Sequence, residues 1–342
     1  MFWSILMYLI IFIVIYLLII IFSPVFPKPR QPIRKANKKY QAKDNLDNRH
    51  EISFTVDNTV VNGWLYLPDN VNEKVPCVVL NNGFGGTKDM ILERYASRFT
   101  KAGFAALSFD YRYFGESEGK PRQLFSTNKQ IEDLLGAVKY LRTREDINGD
   151  KIAVWGTSAA GGYGLIAAAK DPEISCIIGQ CPGIDNDADN KSVFEREGFG
   201  FFVKLFIHAQ RDKGRARFGL SAHRIPIVGK LHTTAMITTP GAFEGYNEIA
   251  SGNFKNEVCA RLILMKHLNP IDYVEKANCP MLFQICENDK LISQDANEKA
   301  EKILGDKAKF IKFPIGHFDI YKGENFEKAI NEQINFLKQC FK

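Results

Sequence analysis

VWGTSAAGGYGL, residues 154–165, carries a serine where an apolar, strand-like run gives way to a helix-forming segment. A serine on a sharp strand-to-helix turn has the form of a nucleophile elbow, G-x-S-x-G. Gly156, Thr157, Ser158 and Ala159 fit that form, and the fifth position holds Ala160 in place of glycine. Small residues are needed there because strand and helix nearly touch. Ala160 adds one methyl at that approach, while Gly161 and Gly162 keep the first helical turn slim. A near-match to so short a pattern is weak by itself, so the rest of the chain has to decide.

On either side of this turn, apolar runs alternate with amphipathic ones. EISFTV and VVNGWLYL alternate around Asp57-Asn58, the pattern of an antiparallel hairpin. PCVVLNN is a short buried run that ends in the glycine-rich GFGGT. A helix is expected from Lys88 to Ala102, stopped by Gly103; FAALSFDYR is the next strand, and IEDLLGAVKYLRTRE the next helix. Beyond the serine come SCIIGQC, PMLFQIC, a helix near Gln294 to Ile303, the strand AKFIKFP and a terminal helix. Apolar strands alternating with helices imply an α/β fold with a mostly parallel sheet covered on both faces. The rhythm breaks between about Pro182 and Cys279. That insertion is expected to form a mainly helical cap over the carboxyl ends of the strands, without a second sheet.

The 342 residues, 45 % hydrophobic and with 26 phenylalanines, can fill a large core. The charge is unevenly placed. Residues 1–27 carry none, whereas Lys28 to His50 hold eight Lys/Arg against Asp44 and Asp47, a net of +6 that equals the excess of the whole chain. Such a basic tail beside an apolar segment fits a membrane surface and gives no sign of nucleic-acid binding. The opening MFWSILMYLIIFIVIYLLIIIF is apolar throughout. About 20 residues at about 1.5 Å each span a ~30 Å hydrocarbon core. It lacks the basic start and small-residue cleavage site of a secretory signal. Residues 1–22 are therefore expected to be a retained single-pass transmembrane helix, 23–50 a basic, proline-containing juxtamembrane linker, and 51–342 the soluble domain with a cap at about 182–279. Lys/Arg clustered at 28–39 resist translocation, which places the domain on the cytoplasmic side. Seven cysteines without C-x-x-C spacing read as free core thiols of a reducing compartment.

An alcohol attacks a carbonyl at neutral pH only with a base in reach, an acid orienting that base, and donors for the oxyanion. Asp289 lies in ENDK just past PMLFQIC, and His317 follows the last strand in PIGHFDIY. The order Ser158, Asp289, His317 is the order of nucleophile, acid and base in α/β hydrolases. The other histidines, at 50, 208, 223, 232 and 267, fall in the tail or the insertion. Glu287 and Asp319 are competing acids near these loops. One oxyanion donor is expected from the N–H of Ala159 and the other from the N–H of Phe84, in the loop NNGFGGT. Asp110 and Arg112, in FDYRYFGES, are expected to brace the neighbouring loop without a chemical role.

Together, NGFGGTKDMILERYASRFTKAGFAALSFDYRYFGESEGKPRQL, VWGTSAAGG, GQCPGID, END and GHFDIY resemble the serine α/β-hydrolases over about residues 50–340. Within that superfamily the chain is most similar to bacterial dienelactone-hydrolase-like and polyketide-transferase-like proteins, whose cap PIVGKLHTTAMITTPGAFEGY also resembles. The resemblance implies a triad on Ser158, Asp289 and His317, oxyanion donors at Phe84 and Ala159, and no metal or organic cofactor. Many relatives have histidine where this chain has Asn82, and dienelactone hydrolases proper use a cysteine nucleophile where Ser158 stands. The expected function is hydrolysis of carboxylic esters or thioesters, of hydrophobic acyl groups in view of the anchor. The alternatives are an acyltransferase or a peptidase on the same triad, or a catalytically silent membrane scaffold. For the peptidase, no acidic cluster in the cap is evidently placed to hold a peptide N-terminus.

Overall fold

The computed structural model describes residues 2–23, 48–69 and 73–342, so most of the expected linker lies outside the described residues. α1 (Phe2–Phe22) has no buried residue and a mean hydropathy of 3.3. Among the described residues it is the one helix long and apolar enough to cross a membrane, by length and composition.

β1 (Arg49–Val56) and β2 (Thr59–Tyr66) form the hairpin, antiparallel from Arg49 opposite Tyr66 to Val56 opposite Thr59. Asp57 and Asn58 take φ of 48° and 54°, the left-handed pair that matches the twist of a tight hairpin and that Asp and Asn tolerate. Then follow β3 (Val75–Asn81), α2 (Leu92–Lys101), β4 (Ala105–Phe109), α3 (Thr127–Arg142), β5 (Ile147–Thr157), α4 (Tyr163–Lys170) and β6 (Cys176–Gln180). Residues 182–279 carry α5 (Asn186–Glu197), α6 (Phe199–Arg217), β7 (Arg224–Ile225), α7 (Ala242–Ile249) and β8 (Val258–Cys259). β9 (Met281–Cys286), α8 (Gln294–Leu304), β10 (Ala308–Phe313) and α9 (Gly323–Cys340) complete the chain.

The strands pair in the order β1-β2-β4-β3-β5-β6-β9-β10. Every pair from β4 to β10 is parallel, and β2 runs against both its neighbours. β4, β6 and β9 are buried at every residue, as a sheet covered on both faces requires. Three glutamines stitch the far side of the core together. Gln333 of α9 donates to Gln180 of β6 at 2.9 Å and to Gln284 of β9 at 2.7 Å, and accepts from the Trp155 indole at 3.0 Å.

Two local expectations differ from what is found. α2 begins at Leu92, four residues later than Lys88, because Lys88 is sequestered. Its backbone N–H and its ammonium both bind the buried Asp110, at 2.7 and 2.8 Å, and Ile91 takes a left-handed φ of 53°. The cap, though mainly helical, also holds a two-residue antiparallel ribbon of β7 against β8. At the other side of the cap, α6 meets the end of α1. Arg215 donates to the carbonyls of Ile21 at 2.8 Å and Ser23 at 3.1 Å, and Phe22 packs on Phe218.

Candidate active site

Parallel strands gather the loops at their carboxyl ends along one edge of the sheet. Gly83 and Phe84 follow β3 there, Ser158 follows β5, Asp289 follows β9 and His317 follows β10. Ser158 has φ of 56°, a strained backbone for a non-glycine residue that persists only where its surroundings hold it. Those surroundings are crowded. A Cβ on Gly156 would run into the Ala160 carbonyl, one on Gly161 into Pro182, and one on Gly162 into the Gly183 carbonyl and Pro270. The close approaches thus fall on Gly156, Gly161 and Gly162, while the methyl of Ala160 is fully buried in the hydrophobic core.

His317 Nε2 lies 3.0 Å from Ser158 Oγ, and its Nδ1 lies 2.5 Å from Asp289 Oδ2. The other carboxylate oxygen of Asp289 accepts the N–H groups of Leu291 at 2.7 Å and Ile292 at 3.1 Å. These bonds fix the carboxylate against the ring. Of the competing acids, Glu287 is exposed and Asp319 caps its own turn by accepting from Gly316 N–H at 3.0 Å. Burial disfavours an imidazolium at position 317, but the adjoining Asp289 carboxylate outweighs it and holds the pKa of the ring well above its ordinary value. Cys181 lies beneath the ring, its Sγ 4.0 Å from Nε2 and 3.5 Å from the Tyr321 hydroxyl.

The loop after β3 faces Ser158 so closely that a Cβ on Gly83 would press on the Ser158 Cβ. Neither Phe84 N–H nor Ala159 N–H finds an acceptor among the described residues. The loop is held from both sides. Asn82 donates to the carbonyls of Thr87 at 2.9 Å and Met90 at 3.0 Å and accepts from Gly83 N–H at 2.8 Å, and Tyr246 of the cap donates to the Phe84 carbonyl at 3.0 Å. Asp110 and Arg112 brace the adjacent segment as expected, Asp110 through Lys88 and Glu116 N–H, and Arg112 through Asp133 and Glu132.

Ser158 and Ala159 open onto a cleft of about 570 Å³ between the sheet edge and the cap. Apolar side chains such as Phe84, Phe125, Met236 and Ile263 line it, together with His267, which sequence position had set aside as part of the insertion. The cap also brings Asp187, Asp189 and Asp272 into the cleft wall. Burial raises the Asp189 carboxyl to about 7, although Ser293 N–H bonds it at 2.7 Å. Asp189 and Tyr246 could not be singled out from sequence, since only the folded cap aims them.

Residues 57–223 match the family model described as X-Pro dipeptidyl-peptidase (S15 family). The chain is 33% identical over 293 residues to the quorum-quenching protein AidA of Acinetobacter baumannii, which spans 84% of this chain and 94% of that one. It is 34% identical to the thiohydrolase apmlB of Arthrinium phaeospermum, with 84% and 95% covered. Among solved structures, the α/β hydrolase GrgF from Penicillium superposes with a TM-score of 0.70 over 85% of this chain and 98% of that one, at 23% identity.

Proposed function

The chain belongs to the serine α/β-hydrolase superfamily, and we propose that it hydrolyses carboxylic esters or thioesters through an acyl-enzyme on Ser158. The observation that carries this reading is the position of His317, within hydrogen-bond reach of Ser158 on one side and Asp289 on the other. Ser158 Oγ attacks the acyl carbon while His317 Nε2 takes its proton. The N–H groups of Phe84 and Ala159 receive the oxyanion. Collapse of the tetrahedral intermediate breaks the bond to the alcohol or thiol, which leaves with the proton from His317. Water then enters, gives its proton to the same nitrogen, and releases the acid and free Ser158. Asp289 stabilises the imidazolium in both steps.

Anchoring by α1 belongs to the same reading, with residues 1–22 in the bilayer, 23–50 as a linker and the domain of 51–342 on the cytoplasmic side. Support comes from α6, which meets the end of α1 through Arg211 and Arg215 and leaves Phe199, Val203 and Phe206 exposed along its length. An enzyme held at that surface would meet hydrophobic acyl substrates.

The test is a fluorophosphonate probe applied to the full chain in detergent, with the adduct mapped by mass spectrometry. Adduct on Ser158 that is lost in Ser158→Ala is expected, and a folded protein without adduct would return the silent scaffold to the front. Turnover of matched oxygen esters and thioesters then ranks the substrates, and added alcohols or amines show whether an acceptor other than water is used. A second reading, cleavage of an X-Pro amide, is favoured by Asp187, Asp189 and Asp272 in the cleft and by the family model over 57–223. Release of nitroaniline from an alanyl-proline anilide would carry it ahead of the esterase.

A further inference from the structure

α5 runs along the cleft as a measuring edge. Asp189, Val193 and Arg196 follow one another on its inner side and all line the cleft with Ser158. Asp189 marks the end near the triad, since it bonds Ser293 N–H in the loop that also carries Asp289. Seven residues of helix at about 1.5 Å each then put Arg196 about 10 Å further along.

The Arg196 guanidinium is poorly provided for. Its side chain is 22% exposed, and its Nε and Nη2 are buried without a hydrogen-bond partner. The nearest carboxylate, Glu197, stands 3.9 Å from Nε, too far for a hydrogen bond. Glu197 is already engaged by its neighbours. One of its oxygens accepts from Thr238 at 2.6 Å, and the other lies 3.0 Å from His232 Nδ1. A buried charged donor without a hydrogen-bond acceptor is costly, and a planar guanidinium matches a carboxylate or phosphate with two parallel bonds. Between the triad end and Arg196, α5 presents Asn190 and the apolar Val193 to the cleft, and Met236 and Ile237 line the same space.

We propose that Arg196 is the receiving residue for an anionic group on the substrate, a carboxylate or phosphate about 10 Å along the cleft from the reacting carbonyl, with Val193, Met236 and Ile237 as apolar lining between. This rests on the hydrolase reading of Ser158 and adds to it the substrate class: an amphiphilic acyl ester or thioester with charge at a fixed distance. The charge can sit on the acyl chain or on the leaving group, and the two sources are separable.

For the acyl side, mono-p-nitrophenyl suberate and azelate are compared with p-nitrophenyl octanoate and nonanoate, using the full chain in nonionic detergent. For the leaving-group side, the S-octanoyl thioester of 7-mercaptoheptanoate is compared with that of heptanethiol. The readout is the ratio of kcat/KM for the charged over the neutral member of each pair. In the wild type one of the two ratios is expected at about ten or more, falling close to one in Arg196→Ala and recovering in part in Arg196→Lys, since a buried charged pair carries at least that discrimination. A ratio near one in both pairs, or a ratio unchanged by Arg196→Ala, overturns the proposal. Arg196→Met, which keeps the length of the side chain, replaces Arg196→Ala should the latter not fold. If the fluorophosphonate leaves Ser158 unlabelled, the hydrolase reading fails by itself. The subsite is then judged by binding of free suberate in calorimetry, where equal binding by wild type and Arg196→Met overturns it.

Discussion

The hydroxyl of Tyr246, on the cap helix α7, donates to the carbonyl of Phe84 at 3.0 Å. The cap thereby holds the same residue whose N–H is the proposed oxyanion donor. A loop that must present a donor to a transient oxyanion gains from having its carbonyl fixed, because the two groups belong to adjoining peptide planes. Tyr246→Phe keeps the ring packed against Phe254 and Phe318 and removes only that bond. A fall in kcat of about tenfold with little change in KM is expected, smaller than the loss of an oxyanion donor itself. Steady-state kinetics on a short ester would show it, and equal effects on kcat and KM would count against the role.

A pH profile tests the base. The pKa of His317 is raised above 6.5, chiefly because the Asp289 charge overrides the effect of burial. A raised pKa keeps the ring protonated, and so unable to accept the serine proton, up to higher pH. Activity should therefore rise with pH through a midpoint above 6.5 in kcat/KM. Asp289→Asn removes the charge, so the midpoint should move down while kcat falls by roughly four orders of magnitude. A wild-type midpoint below the ordinary histidine value would contradict the assignment.

The buried glutamines predict a stability effect remote from the chemistry. Gln333→Leu would strip partners from the Trp155 indole, Gln180 and Gln284 at once, all of them buried. Each orphaned buried group costs on the order of 1–3 kcal/mol, so a loss of about 3 kcal/mol is expected from urea denaturation. An unshifted midpoint would mean that water replaces the amide.

The elbow predicts an asymmetry between neighbouring positions. Ala160→Gly should preserve labelling of Ser158 and cost about 1 kcal/mol, since it removes a buried methyl and loosens the backbone. Gly156→Ala should abolish labelling, because its Cβ would collide with the Ala160 carbonyl. Labelling rate and thermal melting of both variants decide the matter.

Much of this was legible before folding. Ser158, Asp289 and His317 each end an apolar strand, and in a parallel sheet the strand ends fall together whatever the loops do. The sequence marks Ala160 as a point of close approach, and the Ala160 carbonyl does face Gly156. The tightness is shared among Gly156, Gly161 and Gly162, and it depends on Pro182, Gly183 and Pro270 from later in the chain. The start of α2 was missed because a lysine with good helix propensity is held instead by the buried Asp110. Asp189, Arg196 and Asp272 were illegible for a deeper reason. They reach one cleft from α5 and from the short turn Pro270–Tyr273, and no local pattern encodes the meeting of segments that far apart.

The fastening of α6 to α1 has a mechanical side. Arg215 grips the last turn of α1 through two carbonyls, and Arg211 bonds Ser23 at 3.0 Å. Caps are usually pictured as hinged flaps over a stationary body. Here the flap carries the rivet: any widening of the cleft swings the sheet, with its serine and histidine, away from a cap whose helix stays fixed to α1.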